Sequence, residues 1–417
     1  LRSGIEIFEM KNFDIDFHVH SKYSGGVSDS MTIPNIASQS DLKGLDCVAT
    51  GDCLHKGWLK HIEANLSDVG GGVYSAGGAE CRFIMQTEVE DEKRVHHLIL
   101  LPSIESAQTL REKIQKHCKN IDADGRPNVR LNGEQIAGLV LEVGGLMGPA
   151  HAFTPWTAVY KEYDSLKDCY GEHLDKVSFL ELGLSADTNM ADRIQELQDI
   201  SFLSNSDCHS PWPHRLGREF NRLEMEKLSF GEIEKALKRV GGRRISMNVG
   251  LNPVEGKYHM TACTRCYMLF KWEDALALRK RCPECGGLIK RGVCQRLEEL
   301  ASWSEPHHPP HRPPYLHILP LAEVISLAIG VKTLTSRKIQ DSWKNLVGEF
   351  GSEISILLDV DPAEIKKVDV NVGSIIEKFR SGRIYYRPGG GGRYGTPSLT
   401  AVKTEYWGRG QKTLKEF

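Results

Sequence analysis

His18 and His20, in the stretch DIDFHVHSKYS, open a set of metal-ligand residue types that closes nearly two hundred residues later with Asp207 and His209 in SNSDCHS. A strand places alternate side chains on one face, so an apolar run ending in H-x-H delivers two imidazoles to the same side at the strand's end. Between the two motifs, Asp52, Glu88 and His151 each fall at or just beyond the end of an apolar run. Loops that follow strands carry the chemistry in β/α barrels. Ligand types placed there repeatedly are hard to obtain from core packing. The pattern therefore asks for strands alternating with helices, with the strand ends gathered at one mouth. The expected strands are 13–19, 47–50, 83–89, 95–101, 146–150, 177–182 and 200–204, around a mainly parallel sheet or barrel. Helical stretches are expected at 103–119, 133–143, 190–199 and 229–239.

A chain of 417 residues exceeds what one small core needs, which predicts two or three domains. The composition is that of a soluble globular protein, with no apolar run of bilayer-spanning length and no signal peptide before the first strand. Eleven cysteines, an odd number, do not read as a disulfide framework. Four of them have metal spacing, which predicts a reducing, intracellular (cytoplasmic) setting. The net charge of −2 hides an asymmetry. Residues 1–256 carry 28 Lys and Arg against 38 Asp and Glu, whereas residues 257–417 carry 25 against 17. An acidic half bearing metal-ligand types joined to a basic half suggests a catalytic domain with a nucleic-acid grip.

Three pieces follow: residues 1–252, 253–303 and 304–417. In the second, Cys263 and Cys266 (CTRC) precede Cys282 and Cys285 (CPECGG) by fifteen intervening residues. Four thiolates at this spacing close a tetrahedral zinc site with no open position, so that ion would be structural. Cys294 lies outside the pattern. The third piece begins with SEPHHPPHRPPYLH, residues 304–317, which reads as a stiff connector because proline enforces extended structure and lacks an N–H. Helices are expected beyond it at 319–329, 335–350, 354–358, 362–368 and 372–380, with Gly330 and Gly351 as stops and Asp361 capping Pro362. In the tail, Arg383, Tyr385, Arg387, Arg393 and Tyr394 interleave around Gly389–Gly392. Cations neutralise phosphates, tyrosines stack on bases, and glycines allow close approach of backbone N–H groups to a phosphate. The final QKTLKEF, residues 411–417, reads first as a disordered end and second as a short partner-binding tail; a sliding clamp is a candidate partner of the protein.

With HVH at 18–20, ATGDC around Asp52, Glu88 followed by HHLILLP, GPAHAF around His151 and SDCH at 206–209, the first domain resembles the PHP family of metal-dependent phosphoesterases. The resemblance implies a distorted seven-stranded β/α barrel with two to three zinc, manganese or magnesium ions at its mouth. The order of PHP domain, four-cysteine module and helical region with a Gly/Tyr/Arg tail is similar to the endonuclease Q group. Members of that group cut DNA on the 5′ side of hypoxanthine, uracil, xanthine or an abasic site. Carried over by position, His18, His20 and Asp207 would hold one metal. Glu88 would bridge to a second bound by His97 and His151, and His209 with Asp52 would belong to a third. The sequence departs from the family pattern at TGDC, where T-D-H is usual, and at 25–27, where no ligand type follows H-x-H.

Histidine ligands select zinc or manganese over magnesium, which prefers oxygen donors. Asp207, Glu88 and His209 are the candidate catalytic residues. Backbone N–H groups or Asn/Gln side chains could read the keto edge of an extruded, deaminated base. Trp156, Trp212 and Tyr23 are candidates for stacking on it, and His214, Arg215 and Arg218 for phosphate contact. A PHP phosphatase or nuclease for another phosphate ester is the alternative, against which the cysteine module and basic tail argue. A non-catalytic nucleic-acid-binding protein fits poorly with so many retained ligand types. The absence of a G-x-x-x-x-G-K-[ST] loop excludes an ATP motor.

Overall fold

The computed structural model describes residues 9–407. The tail segment 411–417 lies outside the described residues. The first half supplies strands β1 (Lys11–Asp16), β2 (Cys47–Ala49), β3 (Leu66–Gly70), β4 (Val73–Ala76), β5 (Arg82–Glu90) and β6 (His96–Leu101). It continues with β7 (Leu146–Pro149), β8 (Leu180–Glu181), β9 (Phe202–Leu203), β10 (Phe220–Met225) and β11 (Arg244–Gly250). β1, β2 and β5 pair in parallel, and β6 and β7 follow antiparallel. β8 and β9 form a parallel pair of their own. Ser178 N–H donates to the Met147 carbonyl (2.8 Å), tying the approach to β8 onto β7. Beyond β9, Cys208 bridges back to Val19 in parallel, so the line of strands returns to where it began. On the far side of β1, β10 and β11 continue the sheet antiparallel.

The sheet is mixed rather than mainly parallel. β5 and β6 are joined by residues 91–95, where the Asp91 carboxylate accepts the N–H groups of Lys93 and Val95 (2.8 Å each). A parallel return needs a crossover of about a dozen residues or more, which this turn cannot provide. Helices Ile104–Ile114, Gly133–Glu142 and Phe230–Lys238 form where their caps predict: Ser103, Asn132 (with Gln135 in a capping box) and Ser229 each accept a first-turn N–H. The helix expected over 190–199 is instead a short turn, Thr188–Ala191, and a 3₁₀ turn, Gln195–Leu197. There the Arg193 carbonyl accepts from Ser302 and Trp303, and Asp192 from Arg312 and His308. Tertiary partners thus capture groups that a continuous helix would use.

In the four-cysteine region, β12 (Ala262–Cys263) and β13 (Ile289–Lys290) pair antiparallel. The proline-rich stretch does not stay a mere connector: it ends as β14 (Tyr315–His317), parallel to β11. Five helices follow, Leu321–Ile329, Arg337–Phe350, Glu353–Leu358, Pro362–Val368 and Val370–Arg380, close to expectation, with left-handed Gly330 stopping the first. Their core is continuous with that of the first domain. A buried ion pair joins the two, Lys43 Nζ to Glu353 Oε1 at 2.7 Å.

β15 (Tyr385–Arg387) and β16 (Thr396–Ser398) flank the glycine loop. Its N–H groups do not wait for a phosphate. Gly389 donates to Val254, Gly392 to Lys257 and Gly395 to Glu255, all to backbone carbonyls. A Cβ on Gly391 would stand 2.3 Å from the Cys263 carbonyl oxygen, so the glycines serve close packing of chain on chain. Among the described residues, no helix is long and apolar enough to cross a membrane.

Candidate metal centre

Two groups of ligand atoms converge at the strand ends: His18, His20 and Asp207, and Glu88, His96 and His151. Continuing the line of β1, Phe17 and Val19 face the core while His18 and His20 point together to the other side, as alternation demands. Their Nε2 atoms approach to 3.2 Å. Two nitrogens on one tetrahedral ion, each bonded at about 2.0–2.1 Å, would lie about 3.3 Å apart, so this spacing fits a shared ion. Asp207 Oδ1 sits 3.2 Å from His20 Nε2 and 3.8 Å from His18 Nε2.

Glu88, fully buried at the end of β5, lies between the groups. Its Oε1 is 3.1 Å from His151 Nε2, 3.0 Å from His96 Nδ1 and 3.6 Å from His18 Nε2. Its Oε2 is 3.6 Å from His20 Nε2 and has no hydrogen-bond partner. A buried carboxylate oxygen without a donor, facing converging imidazoles, is chemistry that suits a bridging metal ligand.

The other nitrogen of each imidazole is held by a partner. Glu181 takes His18 Nδ1 (3.0 Å), Asp52 takes His20 Nδ1 (3.0 Å), Glu90 takes His96 Nε2 (3.1 Å) and Thr154 Oγ1 meets His151 Nδ1 (3.2 Å). Such partners fix the tautomer that turns the free nitrogen towards an ion. Asp52, His151 and Asp207 all have positive φ, three of the nine described non-glycine residues that do. Backbone strain gathered at two ligand positions and at the partner of His20 is typical of functional sites.

The electrostatics agree. Burial opposes a charge on His18, but Glu181, Glu88 and Asp207 outweigh it and raise its pKa to about 10. His20 is raised to about 9 against the same burial, chiefly by Asp52 and Asp207, and His96 to about 9 by Glu88 and Glu90. Burial would raise Glu88 and Asp207, yet the surrounding histidines hold both well below the usual carboxylate range. The acids thus demand nearby positive charge, which protons or metal ions can supply.

Two expectations change. His96, not His97, joins Glu88 and His151, because consecutive strand residues face opposite ways. His97 points into the core, where Asp91 (3.3 Å) and the Tyr170 hydroxyl (2.9 Å) satisfy both ring nitrogens. Nor do Asp52 and His209 come together in a third group among the described residues. Asp52 is engaged by His20, by Ser21 N–H (2.6 Å) and by Ser24 Oγ (2.8 Å). His209 packs on His20, its Nδ1 3.0 Å from the Asp207 carbonyl, and lines the cleft.

Glu181 was absent from the sequence-derived set, although FLELG ends an expected strand with a lone acid just as the other motifs do. It also accepts His151 N–H (2.7 Å) and Asn205 Nδ2 (2.8 Å). In Glu181→Gln the amide must present an NH2 group to one of these donors. The expected result is a 10- to 100-fold loss of affinity at the His/acid centre, on the order seen for outer partners of metal ligands. Chelator-competition titration checks it, with retention of the cysteine-bound ion as the control for folding.

The centre opens into a cleft of about 730 Å³, lined by Arg126, Arg215, Lys257, Tyr258 and Tyr394, while Arg218 is buried beneath it with its guanidinium donating to the Ser206 carbonyl (3.0 and 3.1 Å). Trp156 stands in its wall with Lys290 Nζ 3.3 Å from the ring centroid. Trp212 is exposed away from this wall, and Tyr23 stacks on His55. His214 is partly buried, which lowers its pKa to about 4. Of the tail residues, Tyr394 reaches the cleft, whereas Arg387 and Arg393 line an adjoining groove. Arg383 and Tyr385 are exposed outside both.

Cys263, Cys266, Cys282 and Cys285 form a separate cluster, with Sγ–Sγ distances of 3.4 Å (Cys263–Cys285) and 3.6 Å (Cys266–Cys282). Sulfurs sharing one tetrahedral ion with bonds of about 2.3 Å lie about 3.8 Å apart, close to this spacing. Cys294 stays a free thiol beside Met260.

A family model described as the MJ0043 C-terminal domain matches residues 320–383. The Methanocaldococcus jannaschii protein MJ0043 is 46% identical over 305 residues, which cover 70% of this chain and 38% of that protein. The chain thus spans well under half the length of that relative. The Bacillus subtilis protein YqxK is 30% identical over 93% of this chain and 99% of its own length. Among solved structures, the lesion-specific endonuclease PfuEndoQ from Pyrococcus furiosus is 47% identical, with a TM-score of 0.88, covering 93% of this chain and 96% of that one. Endonuclease Q bound to a 27-mer duplex substrate with an abasic lesion at its active site is 47% identical, with a TM-score of 0.89 and coverages of 94% and 97%.

Proposed function

Because the chain belongs to the endonuclease Q family, we propose that it is a metal-dependent DNA repair endonuclease. Its reaction would be hydrolysis of the phosphodiester on the 5′ side of a deaminated base (hypoxanthine, uracil or xanthine) or an abasic site. One observation carries the reading: two ligand groups, one containing Glu88 and the other with two imidazole nitrogens 3.6 Å from its carboxylate, lie at the floor of a cleft with a basic rim. In this reading β1, β2, β5, β6, β7, β8 and β9 make the distorted seven-stranded PHP barrel of residues 1–252. Residues 253–303 make a zinc module and 304–417 a helical DNA-binding domain.

His18, His20 and Asp207 would hold one ion and His96 with His151 the second, with Glu88 between them; zinc or manganese suits so many imidazoles. Ions held by these residues would supply an activated water at neutral pH and positive charge for the phosphate. Asp207, at the open side of its group, would orient the attacking water. Glu181, Asp52 and Glu90 keep the ligand nitrogens aimed, which avoids reorganisation during the reaction. His209, on the cleft wall, donates its Nδ1–H to the Asp207 carbonyl, so its neutral ring would offer the other nitrogen as an acceptor or ligand rather than as a donor. Arg215 and Lys257 would neutralise flanking phosphates, with Tyr394 beside them. Four thiolates with closed geometry suit a structural zinc.

An extruded base would sit against Trp156. Asn205 is the one amide side chain on the described cleft wall, and its amide is already engaged by Glu181, Phe17 N–H and Asn221. Recognition of the keto edge then falls to backbone N–H groups or serine hydroxyls on the same wall. The test is incubation with duplexes carrying one uracil, hypoxanthine or abasic site, with and without chelator, and mapping of the product. A chelator-sensitive nick immediately 5′ to the lesion is expected. Hydrolysis of a chromogenic phosphomonoester without cleavage of any of these duplexes would replace the reading with a phosphatase.

A further inference from the structure

The place where a third metal ion would be sought holds part of the polypeptide instead. Residues 25–27 offer no ligand, Asp52 is engaged by His20, and Cys53 is fully buried in the hydrophobic core. The loop 124–126 folds over Asp52. Gly125 N–H donates to the Tyr23 carbonyl (3.0 Å), and a Cβ on Gly125 would stand 2.4 Å from Ser24 Oγ and 2.5 Å from Asp52 Oδ2. Asp124 pins the loop by accepting Gly25 N–H (3.0 Å) and Arg126 N–H (2.9 Å). The Arg126 guanidinium is thereby delivered beside Glu88. Its Nη1 lies 3.9 Å from Glu88 Oε2, its Nη2 3.3 Å from the Gly25 carbonyl and its Nε 3.7 Å from Asp124 Oδ1. None of the carboxylate contacts is a tight pair. The side chain is a quarter exposed and forms part of the cleft wall with Asp207, His209 and His96.

We propose that Arg126 is a catalytic residue that supplies, as a fixed guanidinium, the positive charge a third ion would contribute, by donating hydrogen bonds to a non-bridging oxygen of the scissile phosphate. No proton is transferred in this contact. The planar fork matches a phosphate's oxygens, whose charge grows as the attacking oxygen bonds to phosphorus and the leaving oxygen departs. The proposal rests on the reading that the cleft takes a DNA phosphodiester.

The experiment compares the wild type with Arg126→Ala, Arg126→Lys and Arg126→Gln as full-length chains of matched thermal stability. Elemental analysis of the wild type should find two ions beyond the one held by the cysteines, unchanged in Arg126→Lys. Single-turnover cleavage of an abasic duplex at saturating protein should fall about 100- to 1000-fold in Arg126→Ala, the scale for losing one oriented donor to developing charge. Free guanidinium ion should restore part of that loss, and Arg126→Lys should retain more than Arg126→Gln. In chelated protein, the slope of log binding constant against log salt should drop by about one in Arg126→Ala. A third ion in the wild-type centre, cleavage within threefold of wild type in Arg126→Ala, or an unchanged salt slope overturns the proposal. If the wild type cleaves no lesion duplex, the functional reading fails, while the ion count and the salt slope still decide the role of Arg126.

Discussion

Asp207→Asn is expected to abolish cleavage while leaving binding of a lesion duplex measurable. The substitution keeps the shape of the side chain but removes its charge. That charge faces two imidazole nitrogens, at 3.2 Å (His20) and 3.8 Å (His18). In the proposed reading that charge would be one anionic ligand of the first ion and would orient the attacking water, and both contributions would be lost. A loss of about 1000-fold or more corresponds to about 4 kcal/mol of transition-state stabilisation. The cations proposed to neutralise flanking phosphates, Arg215 and Lys257, are other residues of the cleft, so affinity should change far less than rate. Single-turnover cleavage and binding under chelation check the two halves separately. Full activity with unchanged metal content would sink the assignment of Asp207.

Glu353→Ala should unfold the protein at markedly lower denaturant, with a loss of about 3–5 kcal/mol, the range for removing one partner of a buried ion pair. Both side chains are almost fully inaccessible, 2% for Lys43 and 0% for Glu353. The carboxylate does more than pair with Lys43. Its Oε1 also accepts Leu321 N–H (3.0 Å), and its Oε2 accepts the Trp343 indole N–H (2.7 Å). Removing it strands an ammonium whose remaining partner is the Pro213 carbonyl, together with two donors. A Lys43→Met/Glu353→Met double variant should recover much of the loss, since well-packed apolar groups often replace a buried pair at little cost. Urea unfolding of the three chains tests this. A loss below about 1 kcal/mol in Glu353→Ala would show that the pair does not brace the helical domain against the helix Ile33–Lys43.

Features carried by local pattern were legible. Caps and glycine stops located most helices, the cysteine spacing located the four-thiolate cluster, and strand-end motifs located His18, His20, Glu88, His151 and Asp207. Features that depend on distant partners were not. The choice of His96 over His97 turns on which way β6 faces once it pairs with β5. The helix expected at 190–199 was broken by Ser302, Trp303 and Arg312, more than a hundred residues away. The glycine loop looked free for a phosphate until the chain at 254–263 closed on it.

For the H-x-H motif and the residues that complete it, the division is clear. Sequence alone determined that imidazoles and carboxylates would gather at strand ends, because alternation along a strand and the placement of each motif are local properties. Only the tertiary structure decided what each one does there. It paired His18 with Glu181 and His20 with Asp52, turned His97 into the core, and set Arg126 beside Glu88. Those outcomes depend on which strands pair and which loops fold over the mouth, and no window of sequence contains both partners.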